Sequence, residues 1–287
     1  MPLEDDFTDI VKKARMGQGL SLEAVARGAG LEAREVAALE RGERVPEVVE
    51  TEAIANVLKL RSAPLGDIVG KAWLPAAVPS WVTSGVTGVE TVHGDIGGYA
   101  VKGYVVYDTE AKEAVLVDTA YNATAMLRVL DRRGLRLVGI CLTHGHADHA
   151  DGIEQILVQW PVPVYLGHED ENLLSWRPPR ERLTEPGDGR TITVGRLTIR
   201  CVTTPGHTPG GICYRVEGLA QPLCFAGDTV FAGSIGRSNP FGLYPVHLES
   251  VRQRVLRFPE STVLLPGHGP ATTVREELLH NPFAESS

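Results

Sequence analysis

Seven side chains that bind metals well are concentrated in four short segments of the sequence. The densest segment, THGHADH at residues 143–149, supplies His144, His146, Asp148 and His149. It follows an apolar run at 137–142 and precedes a helical pattern that begins near residue 151. So many ionisable groups on one loop are costly to bury unless a cation compensates them. The segment therefore predicts a metal site, and imidazole with carboxylate suits zinc, iron or manganese.

Three further motifs each place one candidate ligand in a glycine-flanked turn after a β-type run. They are TPGHTPG at 204–210 with His207, FAGDT at 225–229 with Asp228, and LPGHGP at 265–270 with His268. Loops at strand ends are where an α/β scaffold presents reactive groups. We therefore expect the four motifs to meet at one site.

These four motifs, in this order, resemble the metallo-β-lactamase superfamily over about residues 85–287. The resemblance implies an α/β fold, the αββα sandwich, with a site for two divalent ions, zinc first and iron or manganese as alternatives. It implies that one ion is bound by His144, His146 and His207, the other by Asp148, His149 and His268, and that Asp228 bridges both. Asp118, after the run 115–117, matches the family's strand-end aspartate and would orient the metal loop. A simple turn cap explains Asp118 equally well.

The residues around Asp228 narrow the resemblance to one branch. Members specialised for β-lactams commonly carry a cysteine at that position, and β-CASP nucleases carry a long insertion for which this domain has no room. The stretch 227–237 resembles glyoxalase II, in which a cation at the position of Arg237 holds the glutathione part of a thioester. The ending at 266–283 resembles the short bacterial relatives of that enzyme. The tyrosine that follows the last histidine in glyoxalase II is absent here, because Gly269 stands there, so glutathione specificity stays open.

The resemblance predicts a dinuclear metallohydrolase that acts on a small-molecule thioester or related ester. A metal-bound hydroxide would be the nucleophile, and Asp148 would be catalytic as well as a ligand, because it can orient the water. One alternative is a persulfide dioxygenase with a single iron on the equivalents of His144, His207 and Asp228. Those enzymes carry an aspartate where residues 238–239 read Ser-Asn, which favours hydrolysis. The other alternative is a transcriptional regulator whose metal domain senses a metabolite.

The first 70 residues predict a small all-α domain. Ser21 is placed as the N-cap of one helix, and a second helix is predicted from Leu31 to Glu40 after a glycine turn. The segments 19–26, 39–46 and 54–60 resemble Cro/repressor-type (XRE-like) regulators over about residues 9–68. That resemblance implies a helix-turn-helix that binds DNA as a homodimer through the second helix. The candidate DNA-binding residues are Arg34, Arg41 and Arg44.

Charge weakens the DNA interpretation. Residues 1–72 contain 10 Lys/Arg and 13 Asp/Glu, and the whole chain has a net charge of −8. Phosphate binding is driven by cations, so any contact with DNA must come from a local surface. The alternative for this domain is a module that serves only for association or docking.

The rest of the sequence sets the domain boundaries and the compartment. The chain is rich in Pro, Ala and Ser from about residue 62 to 84, which indicates a linker anchored by Trp73 and Trp81. We divide the chain into a helix-turn-helix domain (1–70), a linker (71–84) and a hydrolase domain (85–287). The acidic N-terminus and the lack of long apolar runs predict a cytoplasmic protein with no membrane partner. The four cysteines form no CxxC pair and are expected to be reduced and buried in strands.

Overall fold

The computed structural model describes residues 1–78, 82 and 88–285. Within the predicted linker, residues 79–81, 83 and 84, and with them Trp81, lie outside the described residues. None of the helices in the described part of the chain is both long and apolar enough to cross a membrane.

Five helices form the N-terminal unit. They are α1 (Phe7–Gly17), α2 (Leu22–Ala29), α3 (Ala33–Glu40), α4 (Val48–Leu58) and α5 (Ser62–Val69). Ser21 caps α2 as predicted, because its hydroxyl accepts a hydrogen bond from the Ala24 amide at 3.2 Å. Helix α3 begins two residues later than the predicted start at Leu31. The interpretation of the chain as linker from residue 62 is wrong over α5, where Pro64 lies in the first turn and leaves the helix intact.

Two six-stranded sheets form the rest of the core. The first contains β1 (Val89–Ile96), β2 (Tyr99–Tyr107), β3 (Glu113–Val117), β4 (Arg136–Cys141), β5 (Val164–Tyr165) and β6 (Leu183–Thr184), in that spatial order. The second contains β7 (Thr191–Val194), β8 (Leu197–Thr203), β9 (Ile212–Glu217), β10 (Leu223–Gly227), β11 (Val263–Pro266) and β12 (Thr272–Thr273), ordered β12-β11-β10-β9-β8-β7. The pairs β3–β4 and β10–β11 are parallel.

The two sheets pack face to face between two layers of helices. Tyr104 from the first sheet and Tyr214 and Phe225 from the second fill the space between them. Helices α6 (Ala123–Arg133), α7 (Ala147–Ala150) and α8 (Ile153–Gln159) lie on the first sheet, while α9 (Tyr244–Glu249) and α10 (Val274–His280) lie on the second. The predicted αββα sandwich is confirmed. The four cysteines are free and buried, as expected.

The N-terminal helices share a hydrophobic core with the outer layer of the second sheet. Ile10 and Leu65 belong to the same buried cluster as Tyr244 and Phe283. Trp73 joins this contact, because its indole Nε1 donates to Glu276 Oε2 at 2.9 Å and its ring stacks on His280 at a centroid distance of 4.8 Å. Trp73 is therefore an anchoring aromatic, as predicted. The helical unit therefore packs on the sandwich through apolar surface, and separating the two parts would expose that surface to water at an unfavourable free energy.

A buried carboxylate holds the C-terminal helix to the loop that follows β10. Glu277 is fully buried and accepts hydrogen bonds from the Thr272 hydroxyl (2.7 Å), the Asn281 amide (2.7 Å) and the Gly233 backbone N–H (3.0 Å). Asn281 also donates to the Ser234 carbonyl at 2.9 Å. Burial raises the pKa of Glu277 to about 7. The folded state therefore holds a proton on Glu277 that the unfolded chain releases at a lower pH.

This difference predicts a specific pH dependence of stability. The folded pKa of Glu277 lies above its ordinary value of 4.5, so the folded state loses stability as the pH rises from about 4.5 through 7. Glu277→Gln mimics the protonated form and should remove that loss. We expect its free energy of unfolding to exceed that of the wild type at pH 8.5 by up to about 3 kcal/mol, with little difference at pH 5. Denaturant unfolding at both pH values measures this, with exposed Glu154→Gln as control. Equal pH slopes in wild type and Glu277→Gln would contradict it.

Candidate metal centre

The four motifs meet at one edge of the sandwich. The loop after β4 carries His144 and His146 and leads into α7, which carries Asp148 and His149. The remaining candidates are His207, Asp228 and His268, which follow β8, β10 and β11 respectively. Because the carboxyl ends of parallel strands share an edge, β10 and β11 bring their two residues to the same side. All seven predicted ligands lie together.

Their donor atoms fall into three overlapping groups, each with its atoms within 4.8 Å of one another. The groups are His144-His146-His207, His144-His149-Asp228 and Asp148-His149-His268. The first and third match the two predicted ligand sets. Asp228 lies between them: its Oδ1 is 3.3 Å from His149 Nε2 and its Oδ2 is 3.6 Å from His207 Nε2. That is the position that a bridging ligand requires.

Two buried atoms at the centre of this cluster lack a hydrogen-bond partner. They are Nε2 of His144 and Oδ1 of Asp228. An unpaired buried polar atom costs about 1–3 kcal/mol, and these two lie among the other ligand atoms of the cluster. His207 Nε2 lies 3.0 Å from His146 Nδ1, and His149 Nε2 lies 3.3 Å from His268 Nε2. Cations among these atoms would satisfy all of them, so the residues fit a metal centre.

The far nitrogen of three histidines is held by a fixed acceptor. His207 Nδ1 donates to the Arg237 carbonyl at 2.8 Å, His268 Nδ1 to the Ala100 carbonyl at 2.7 Å, and His149 Nδ1 to Asp118 Oδ2 at 2.8 Å. Each bond places a proton on Nδ1 and directs Nε2 into the cluster. This is the ring orientation that a metal ligand needs.

Asp118 makes contacts beyond those of a turn cap. It is buried, accepts from the Thr143 N–H at 2.7 Å and the Thr143 hydroxyl at 2.8 Å, and holds His149. One carboxylate at the end of β3 therefore orients both the start and the end of the segment 143–149. These contacts favour the orienting role over the simple cap.

Burial and charge set the protonation of the cluster. Burial lowers the pKa of His207 to about 4 and that of His144 well below its ordinary value. Burial disfavours the charged form of Asp228, but the nearby His149 and His268 outweigh it and hold the Asp228 pKa well below its usual range. Burial also opposes protonation of His149 and His268, but the nearby Asp228 outweighs it and raises the pKa of both. The site thus combines neutral His144 and His207 with an ionised Asp228, and metal binding would displace protons from His149 and His268.

The other predicted residues lie in two different places. Arg237 has an exposed side chain, while its carbonyl contacts His207 beside the metal cluster. Arg34, Arg41 and Arg44 lie on the N-terminal unit and pair with local glutamates: Glu32 at 2.8 Å, Glu43 at 2.6 Å and Glu50 at 2.6 Å respectively. They take no part in the cluster.

Sequence reasoning missed a buried aspartate that joins the two histidine loops. Asp170 Oδ2 accepts from the Gly145 N–H at 3.2 Å and the Thr208 hydroxyl at 2.6 Å, and its Oδ1 accepts from the Gly210 N–H at 2.7 Å. It holds the loop of His144 and His146 against the loop of His207. In the sequence it stands between Glu169 and Glu171, and nothing distinguishes it there from two solvated acids.

We predict that Asp170→Asn lowers metal affinity without unfolding the protein. An amide keeps the volume but replaces one acceptor oxygen with a donor, so the bonds to the Thr208 hydroxyl and the two N–H groups cannot all persist. Loss of such a support typically costs about 10–100-fold in metal affinity. Zinc titration of the apo-protein against a chromophoric chelator measures this, with Glu171→Gln as the matched control. Wild-type affinity in Asp170→Asn would show that the loops hold without this carboxylate.

Comparison with known proteins agrees with this geometry. Residues 96–268 match the family model of the metallo-beta-lactamase superfamily, and residues 11–65 match a helix-turn-helix model. Hydroxyacylglutathione hydrolase GloC of Haemophilus influenzae is 28% identical over 197 residues, which cover 63% of this chain and 92% of GloC.

Two solved structures are similar over the sandwich. The BLEG-1 B3 metallo-beta-lactamase is 29% identical with a TM-score of 0.58, covering 67% of this chain and 98% of its own. TTHA1623 in a di-iron-bound form is also 29% identical, with a TM-score of 0.55 and coverage of 67% and 99%. The family model spans more than half of the sequence. This chain therefore belongs to the metallo-β-lactamase superfamily, as a hydrolase-like protein with a metal site behind an N-terminal helix-turn-helix unit.

Proposed function

We propose that the protein is a dinuclear metal-dependent hydrolase of a thioester or related ester. One observation carries the proposal: two sets of three donor residues converge, and the buried carboxylate of Asp228 lies between them with an unpaired oxygen. A single tetrahedral site needs only four ligands, whereas seven are present here. The metal in each position would be zinc, iron or manganese, and the di-iron form of TTHA1623 supports two metals in this fold.

The bound metals would supply an activated water and a Lewis acid for the carbonyl. Within this chain, Asp148 is the ligand best placed to act on that water. Its side chain is 22% exposed, against 10% for Asp228 and His268, so it faces the open side of the cluster. Its Oδ2 lies 3.2 Å from His268 Nε2. Asp148 would orient the attacking water by accepting a hydrogen bond from it.

Arg237 is the residue that we propose binds the substrate. Its side chain is exposed, and none of the carboxylates in the described part of the chain forms an ion pair with it. Its backbone carbonyl accepts a hydrogen bond from His207, so the side chain begins beside the metal cluster. A free cation in that place suits a substrate with a remote carboxylate. The similarity to GloC supports a hydroxyacyl thioester of this kind.

The experiment is a substrate panel run on protein of known metal content. We expect two metals per chain and turnover of a hydroxyacyl thioester. Arg237→Ala should raise KM by about 5–20-fold and leave kcat within about twofold, because binding of a remote group is largely uniform between ground and transition state. Exposed Arg128→Ala on α6 is the control. The dioxygenase alternative would be correct if the protein binds one metal per chain, consumes oxygen with glutathione persulfide and hydrolyses none of the esters.

The likeness to BLEG-1 favours a second candidate reaction. The B3 metallo-beta-lactamase BLEG-1 and TTHA1623 have the same sequence identity to this chain, 29%. A chromogenic β-lactam therefore belongs in the same panel. We expect slow or absent turnover of it, because Asp228 occupies the bridging position. A kcat/KM for the β-lactam above that for the thioester would assign the chain to the lactamases.

The N-terminal unit supports a separate proposal, which is DNA binding by a homodimer. The match at 11–65 favours it, and Arg34 on α3 is 82% exposed in its side chain. Its pair with exposed Glu32 is worth little in water, so the guanidinium is available to a phosphate. Arg15 is not available, because it is buried against Glu40 at 2.6 Å.

We predict salt-sensitive binding of DNA that depends on Arg34. Loss of one phosphate contact should weaken binding several-fold and lower the salt slope by about one. Arg34→Ala and the control Arg128→Ala would be compared with the wild type on genomic fragments at low salt, with light scattering to measure the mass. Two results would contradict this proposal: a monomer that does not bind DNA, or a DNA affinity that is unchanged in Arg34→Ala. Either result would limit the helical unit to a role within the hydrolase.

A further inference from the structure

Helix α1 is tied to the loop that follows the central aspartate of the site. Lys13 Nζ donates to the Ile235 carbonyl at 3.0 Å and to Asp5 Oδ2 at 2.5 Å. The side chains of Lys13 and Asp5 are only 15% and 7% exposed. The segment 229–237 begins next to Asp228 and ends at Arg237, so Lys13 holds the middle of the loop that connects the metal site to the proposed substrate cation.

The same lysine contacts the metal cluster through one aromatic ring. Lys13 Nζ lies 5.3 Å from the centroid of the Phe231 ring, a cation–π distance. The Phe231 ring in turn meets the His268 ring edge-on, with centroids 5.9 Å apart. A continuous set of contacts therefore runs from Asp5 through Lys13 and Phe231 to a candidate metal ligand.

The segment Met1–Asp6, which we call the N-terminal arm, lies directly on the loop of His268. A Cβ added to Gly269 would stand 3.1 Å from the Glu4 backbone nitrogen and 3.0 Å from its Cβ. A side chain at this position would crowd the arm, and its φ of +65° also favours glycine.

The arm also borders two open cavities. One, of about 450 Å³, is lined by residues 2–6 and by Ile68 and Trp73. The other, of about 480 Å³, is lined by Met1 together with His93, Lys102 and Gly269. The second cavity reaches the residue adjacent to His268. Any part of a substrate that extends from the metals in this direction would contact the arm.

We propose that the N-terminal helical unit is a component of the active site. The arm covers the loop of His268 at Gly269, and Lys13 is a positioning residue that holds loop 229–237, and with it Phe231 and Arg237, in place. The proposal rests on the proposed metal site. It gives the helical unit a role in substrate selection that does not require DNA.

The chemistry of Lys13 distinguishes this role from simple docking. The neighbouring buried positions of α1, which include Ile10, Val11 and Ala14, are apolar and suffice to attach the helix. A partly buried ammonium carries a desolvation cost that a methionine would avoid. What the ammonium adds is an ion pair with Asp5 of the arm and a directional bond to the Ile235 carbonyl of the loop. A positioning role accounts for both contacts, because together they connect the arm to the loop.

The test uses three variants of the full chain. Lys13→Met keeps the apolar stem and removes the charge, Lys13→Arg restores a cation, and exposed Lys12→Met is the matched control. The first readout is amide hydrogen exchange of the apo-protein with and without zinc. In the wild type, zinc should slow exchange in residues 3–17 and 229–237 and leave 22–40 unchanged. In Lys13→Met the slowing in 3–17 should fall at least threefold, while Lys12→Met behaves as wild type.

The second readout is kinetic and uses whichever ester the panel identifies. Lys13→Met should raise KM about fivefold with kcat within twofold, and Lys13→Arg should return KM to within twofold of the wild type. An unchanged exchange response and KM in Lys13→Met would overturn the proposal, even if its Tm falls. If zinc binds but no ester is hydrolysed, the proposed reaction fails and hydrogen exchange still decides the role of Lys13. If neither zinc, iron nor manganese binds, both proposals fail.

Discussion

The structure depends on holding several imidazoles and carboxylates close to one another in a buried place. The Nε2 atom of His144 and one oxygen of Asp228 have no hydrogen-bond partner, and the surrounding imidazole nitrogens approach to 3.0–3.3 Å. The two unpaired atoms oppose folding, because a buried polar group without a partner loses its solvation. The fold must therefore be rigid enough to keep the cluster together until a metal compensates it.

That rigidity comes from carboxylates placed one step away from the cluster. Asp118 fixes the segment 143–149 to β3, and Asp170 fixes its glycine to the loop of His207. On the second sheet, Glu277 and Asn281 hold the loop at Gly233 and Ser234. Each of these side chains accepts or donates several bonds in a dry environment, where a satisfied polar network is strong and a broken one is costly.

The motifs were predictable because their information is local. Three histidines and an aspartate within six residues indicate a metal site without any information from the rest of the sequence. The strands around them are predicted from runs of β-branched residues. Asp170 and Lys13 were not predictable, because their partners lie 38 and 222 residues away and their immediate neighbours are ordinary. The helix at 62–69 was misread for the opposite reason: Pro64 is a strong local signal for a break, but in a first turn it leaves the helix intact.

The contact between the helical unit and the sandwich changes what each part can do. The apolar face of α1 is buried in a core that includes Tyr244 and Phe283, so the unit cannot detach without exposing that surface to water. The loop 229–237 is consequently supported from both directions, by Glu277 from the C-terminal helix and by Lys13 from α1. A loop held at two points presents its residues in one arrangement. Under the proposed function, substrate selection by this loop would depend on the helical unit as well as on the sandwich. The helix-turn-helix match at 11–65 is therefore compatible with a role in catalysis as well as in regulation.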